Sequence, residues 1–139
     1  MKTFVTIFIL FISFIFAQSG DENWVHVSVV KNILINTNGL DRFQDKDIYV
    51  WVMENHSPPL KIESVKGDIY KSKTYYLFNK ETRMYSFLEK IYYDEKNNVL
   101  KSFSYKRNMD VENFKYNYPV LENSDMEKIL NKCLEYTAN

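Results

Sequence analysis

The chain has 139 residues, with 18 basic and 18 acidic side chains, no formal net charge and one cysteine. That length fits one domain, and the charge balance excludes the basic footprint of a nucleic-acid binder. A hydrophobic fraction of 45% with 17% aromatics excludes a disordered chain, three glycines and three prolines exclude low-complexity sequence, and a lone cysteine excludes a disulfide framework within the monomer.

Residues 1–19 read MKTFVTIFILFISFIFAQS. Lys2 supplies a positive start, Phe4 to Phe16 an apolar stretch broken only by Thr6 and Ser13, and Ala17 and Ser19 the small residues of a cleavage site. This is the three-part pattern of a secretory signal peptide. The apolar stretch is shorter than the roughly 20 residues that span a bilayer, so cleavage and not anchoring is expected. The cut falls after Ala17 or Ser19, and Ala17-Gln18-Ser19 fits the small-x-small rule better. The mature chain, residues 20–139, is then a single domain in the periplasm or outside the cell, without a membrane anchor.

Trp24 to Val30 alternates, with Val25, Val27 and Val29 on one side and Trp24, His26 and Ser28 on the other, which predicts a strand. Ile33-Leu34-Ile35 continues it after a bulge or forms a second strand, and Asn36-Thr37-Asn38-Gly39 is a turn cluster. Ile48 to Glu54 is apolar on both sides, Ile48, Val50 and Val52 against Tyr49, Trp51 and Met53, as in a central strand covered on both faces. His56-Ser57-Pro58-Pro59 breaks the pattern, and the chain to Gly67 is expected to be loop. Lys73 to Phe78 is the next strand. Arg83 to Tyr93, the polar turn from Asp94 to Asn98 and Val99 to Tyr105 then predict a hairpin. Residues 106–118 read as irregular, and Pro119 ends any strand there.

The last element is predicted to be a helix. Ser124 followed by Glu127 forms a capping box, Asp125 and Glu127 suit the positive end of the helix dipole, and Met126, Ile129, Leu130, Cys133 and Leu134 recur on one stripe.

Chemistry is sparse. No phosphate loop, dinucleotide fingerprint or nucleophile elbow occurs, and neither histidine has partners at metal-ligand spacing, so no catalytic, cofactor-binding or metal-binding residues are expected. His26 beside Trp24 reads as a structural histidine and His56 as a solvent-exposed one. Asp45 with Asp47, and Asp94 with Glu95, read as solvated turn residues. Cys133, on the apolar stripe, reads as a buried and unpaired thiol that behaves as a small hydrophobe.

Trp24-Val25 at the mature start, Trp51-Val52 in the central strand, Tyr92-Tyr93-Asp94 before a polar turn and Val99-Leu100-Lys101-Ser102 after it come in a telling order. With Pro119 and a closing helix from Ser124 to Cys133, the mature chain resembles the surface-adhesin protein E family of Gram-negative bacteria. The resemblance implies an exported, non-catalytic protein that binds a partner such as a host extracellular-matrix or envelope protein. Members of that family often carry a strand cysteine that bridges to the helix cysteine. The corresponding stretch here, Leu77-Phe78-Asn79, has none. A structural or inhibitory envelope protein and a periplasmic small-molecule carrier are the rival readings.

The expected fold is α+β, an antiparallel sheet of five or six strands with the C-terminal helix on one face. A 12-residue helix is roughly 18 Å long and covers only one side of such a sheet. The aliphatic set Ile48, Val50 and Val52 suits it. Tyr49, Trp51 and Met53, joined by Tyr75 or Tyr76 and by Tyr85 and Phe87, are then the candidate face for a partner or for a homodimer. The alternative is that loops 36–47 and 55–71 close over that face.

Overall fold

A computed structural model of the protein describes residues 22–105 and 109–137. The expected signal segment, 1–19, and its cleavage site lie outside the described residues. The fold is the α+β one expected from sequence. Strands β1 (Trp24–Ser28), β2 (Ile33–Asn36), β3 (Asp47–Leu60), β4 (Ile69–Asn79), β5 (Met84–Tyr93) and β6 (Val99–Ser104) follow one another as an antiparallel meander. A short helix α1 (Glu112–Lys115) precedes the two-residue strand β7 (Tyr118–Pro119), which pairs with β5 beyond the end of β6, and helix α2 (Asp125–Leu134) closes the chain.

The turns follow from short polar side chains that bond their own backbone. Asn79 Oδ1 accepts from the amides of Glu81 and Thr82, at 3.0 and 3.1 Å, and turns β4 into β5. Asp94 Oδ1 accepts from Lys96 and Asn98, at 2.9 and 2.8 Å, and turns β5 into β6. The amide of Asn98 foremost, then its side chain, holds the Asp94 carboxyl below the usual carboxylate range. Helix α2 starts as its capping box predicts, with Ser124 Oγ accepting from the Glu127 amide at 3.2 Å. Glu127 in turn accepts from the amide of Asn123, at 2.7 Å, because Ser124 N–H is already bonded to Leu121.

Ile129, Leu130 and Cys133 of α2 pack on Ile33, Ile35, Ile48, Val50, Val52, Tyr76 and Phe78, all buried. The aliphatic side of β3 is therefore the helix side, as expected. A second cluster forms where Ile62 and Val65, from the 61–68 loop, meet Ile69, Tyr92, Leu100 and Phe103.

Three expectations are corrected. β3 does not stop at Glu54 but runs through both prolines to Leu60. Its pairing passes from Asn55↔Lys71 straight to Leu60↔Ile69, so His56 to Pro59 form a bulge opposite Tyr70, where a missing proline N–H breaks no ladder bond. Val29 does not continue β1 into the core: the strand ends at Ser28, and Val29 and Val30, at 77% and 97% exposure, form a hairpin tip closed by Asn32 at φ 51°. Pro119, expected to end a strand, sits in one, at the edge position opposite Met84 where it owes no donor.

Candidate functional site

The side of the sheet away from α2 carries Tyr49, Trp51 and Met53 of β3. Directly across on β4 stand Leu77, Tyr75 and Lys73. Trp51 stacks on Tyr75 with ring centroids 4.9 Å apart and planes at 23°, and Tyr75 meets Tyr49 at 6.0 Å. Half-buried aromatics thus form a continuous run over two central strands.

Tyr85 and Phe87 are not part of it. They pack on the helix-side core, with Tyr85 6.0 Å from Tyr76 and 5.8 Å from Phe78, and Phe87 stacked on Tyr118 at 5.7 Å. The cause is a bulge in β5. Tyr76 pairs with Phe87 but Tyr75 pairs with Glu89, which leaves Leu88 as an extra residue. One extra residue inverts the alternation, so odd-numbered side chains face the helix before Leu88 and the opposite side after it. Glu89, Ile91 and Tyr93 therefore join the aromatic side, across from Tyr75, Lys73 and Lys71. A period-two reading of Arg83 to Tyr93 carries Tyr85 and Phe87 to the wrong face and gives no sign of Leu88's role.

Part of the expected 36–47 loop narrows this side. Phe43 meets Tyr49 at 5.8 Å. The end of α1 and the residue after it are latched to Asp47, whose carboxylate accepts from Lys115 Nζ at 2.5 Å and from the Tyr116 hydroxyl. That partner raises the Lys115 ammonium well above the usual lysine range, and burial together with Asp47 pushes the Tyr116 phenol up to about 12. Asp47 is thus a half-buried latch and not a solvated turn residue. In the middle of the face, Lys73 Nζ lies 3.2 Å from Glu22 Oε1, 5.1 Å from the Trp24 ring and 5.9 Å from the Tyr93 ring. Trp24 Nε1 donates to Glu22 Oε2 at 2.9 Å. Burial opposes the Glu22 charge, but the bonds from Trp24 and Lys73 prevail and hold the carboxyl below its usual range. β1 and β4 are three strands apart, about 14 Å at the normal spacing, so Trp24 and Lys73 lean over β2 and β3 between them. Beneath lies Leu34, 8% exposed.

Beside this bridge is a cleft of about 550 Å³ lined by Glu22, Trp51, Lys73, Glu89, Ile91 and Tyr93. β6 sets only Ser104 and Ser102 across from Glu89 and Ile91, side chains too short to roof it. Burial foremost, and then Glu22 and Glu89, push the Tyr93 phenol above its ordinary pKa, so both carboxylates act on this ring.

Cys133 is fully buried, and burial pushes its thiol up to about 12, which leaves no thiolate for chemistry. His56, expected in solvent, is half-buried with its Nε2 3.0 Å from Ser72 Oγ. Burial foremost lowers its pKa. That is the spacing of a nucleophile and its base, but Ser72 is 3% exposed within the sheet and a substrate has no access to it. His26, expected to be structural, is exposed on edge strand β1. Among the described residues, no three His, Cys, Asp or Glu side chains gather to hold a metal ion, and no helix is long and apolar enough to cross a membrane. No family model, curated protein or solved structure matches the chain.

Proposed function

We propose that the protein is an exported, non-catalytic binding module that engages a protein partner through the aromatic side of its sheet. This extends to function the resemblance to the surface-adhesin protein E family, with a host matrix or bacterial envelope protein as the partner and a second copy of the chain as the rival occupant. The observation that carries the reading is the Trp51–Tyr75–Tyr49 run, half-buried at a central sheet position on the side away from α2. Tyrosine and tryptophan in that setting are the side chains that most often anchor protein contacts. The inaccessible Ser72 and the neutral, buried Cys133 support the absence of catalysis.

Solid-phase binding of the purified protein to immobilised matrix proteins, with sedimentation velocity for self-association, tests the proposal. Trp51→Ala is expected to abolish binding or dimerisation, whereas Val30→Ser on the remote hairpin tip leaves it intact. Binding to a partner that survives Trp51→Ala unchanged refutes the assignment of this face.

The second reading is a small-molecule carrier. It is favoured by the cleft volume of about 550 Å³, which falls within the range of ligand pockets. Native mass spectrometry of protein purified from its own host distinguishes it: a stoichiometric bound molecule favours the carrier.

A further inference from the structure

Among the described residues, Glu89 is the one cleft carboxylate without a bonded partner. Glu22 is satisfied by Lys73 and by the Trp24 indole, and Lys71, beside Tyr93, donates to Asn97 Oδ1 at 2.6 Å. Among the described residues, no hydrogen-bond donor or cation lies within bonding reach of the Glu89 carboxylate, although it is half-buried and lines the cleft. The cleft lining thus carries the carboxylates of Glu22 and Glu89 and the ammonium of Lys73, with Lys71 Nζ 4.6 Å over the Tyr93 ring at its edge. Its other walls are the rings of Trp51 and Tyr93 and the aliphatic side of Ile91. A ligand that complements all of this is cationic, has a flat face to lie against an aromatic ring, offers several parallel N–H donors and brings an apolar stem.

Building on the binding function proposed above, we infer that the cleft receives an arginine side chain of the partner protein, whose guanidinium pairs with Glu89 against Trp51 and Tyr93. Guanidinium suits the site better than ammonium. It is planar, stacks on aromatic rings, presents donors in a fork that fits a carboxylate, and is the more weakly hydrated cation to bring into a half-buried place. Both neighbouring ammoniums are already engaged: Lys73 lies 3.2 Å from Glu22, and Lys71, 4.6 Å over the Tyr93 ring, donates to Asn97 Oδ1. The aromatic run from Tyr49 to Tyr75 then provides the apolar contact around the anchor, and the arginine sets the register of the partner on the sheet. Arginine, tyrosine and tryptophan are the residue types most enriched among interface hot spots.

The test titrates the purified protein with three blocked tripeptides, Ac-Gly-Arg-Gly-NH2, its citrulline isostere and its lysine counterpart, followed by tryptophan fluorescence and by isothermal calorimetry. The arginine peptide is expected to bind with a Kd of about 1 mM, the scale of a single small anchor, and the citrulline peptide about tenfold more weakly. Glu89→Gln brings the arginine peptide down to the citrulline level and leaves citrulline unchanged. Raising the salt weakens only the charged peptide. The citrulline comparison needs no variant, so the inference is testable even if Glu89→Gln misfolds. Equal binding of arginine and citrulline, no binding of either, arginine binding unaffected by Glu89→Gln, or a lysine peptide as tight as arginine each overturns it. The broader reading is judged separately. If Trp51→Ala abolishes binding to a matrix protein while the arginine peptide fails, the binding face stands and the arginine anchor falls.

Discussion

The sharpest test of which side of the sheet is core compares two aromatic truncations on neighbouring strands. Phe78 of β4 is fully buried on the helix side, within the cluster that includes Ile48, Val50 and Leu130. Truncating a buried aromatic to alanine costs about 3–5 kcal/mol, so Phe78→Ala should lose about 4 kcal/mol. Trp51, on the other side, is half-buried and keeps one ring partner, Tyr75. The stack accounts for about 1 kcal/mol, and the partly buried area for about another. Trp51→Ala should therefore cost about 2 kcal/mol, half the penalty of Phe78→Ala and within the 5–15 kcal/mol stability of an ordinary domain. At roughly 4 °C per kcal/mol for a chain of this size, the melting temperature falls by about 8 °C for Trp51→Ala and about 16 °C for Phe78→Ala. Urea denaturation followed by far-UV circular dichroism gives both values, and Trp24 remains as a fluorescent reporter in either variant. Partner binding should show the reverse order, lost in Trp51→Ala and retained in whatever fraction of Phe78→Ala is folded. A loss for Trp51→Ala that equals the loss for Phe78→Ala, in a wild type that is strictly monomeric, would place the indole in a closed core and remove the basis for a binding face.

Three further outcomes are expected. Alkaline pH should weaken the fold through Cys133: its thiol is raised from 9.0 to about 12 in the folded state, so the stability is present below pH 9 and lost as pH rises from 9 towards 12. Between pH 9 and 10 the wild type should lose about 1 kcal/mol more than Cys133→Ala, a difference in which the tyrosines cancel, as read from urea curves at each pH; parallel profiles would contradict a buried thiol, as would rapid labelling of the native protein by a thiol reagent. Asp47→Asn should cost about 1–3 kcal/mol and speed amide exchange at residues 115–118, because the pair it breaks has side chains only 20% and 15% exposed. N-terminal sequencing of protein exported by its native host should find the first residue between Gln18 and Gly20, and a retained Met1 or Lys2 would defeat the exported location.

Much of the fold can be read along the chain, because its determinants are local. Alternation of Ile48, Val50 and Val52 with Tyr49, Trp51 and Met53 identifies a central strand and sorts its two faces. The Ser124–Glu127 spacing marks the start of the last helix, and its stripe buries Cys133. The polar turn at Asp94 closes a hairpin through bonds to residues two and four positions away. All of these are interactions between near neighbours, which periodicity and turn chemistry report directly.

What the sequence left undetermined depends on partners distant in the chain. Whether Pro58 and Pro59 end β3 or ride in a bulge depends on how β4 pairs with it, not on the prolines. Leu88 is an ordinary strand residue until β4 pairs Tyr76 with Phe87 and Tyr75 with Glu89; only then do Tyr85 and Phe87 fall to the helix side and Glu89, Ile91 and Tyr93 to the other. The bridge from Glu22 and Trp24 to Lys73 spans about 50 residues of sequence and three strands, and no local pattern announces it. Composition and local pattern therefore determined that this chain makes a curtailed helix-on-sheet domain with one aromatic side. Tertiary register, which one extra residue in one strand is enough to invert, decided which side chains share that side and where its cleft lies.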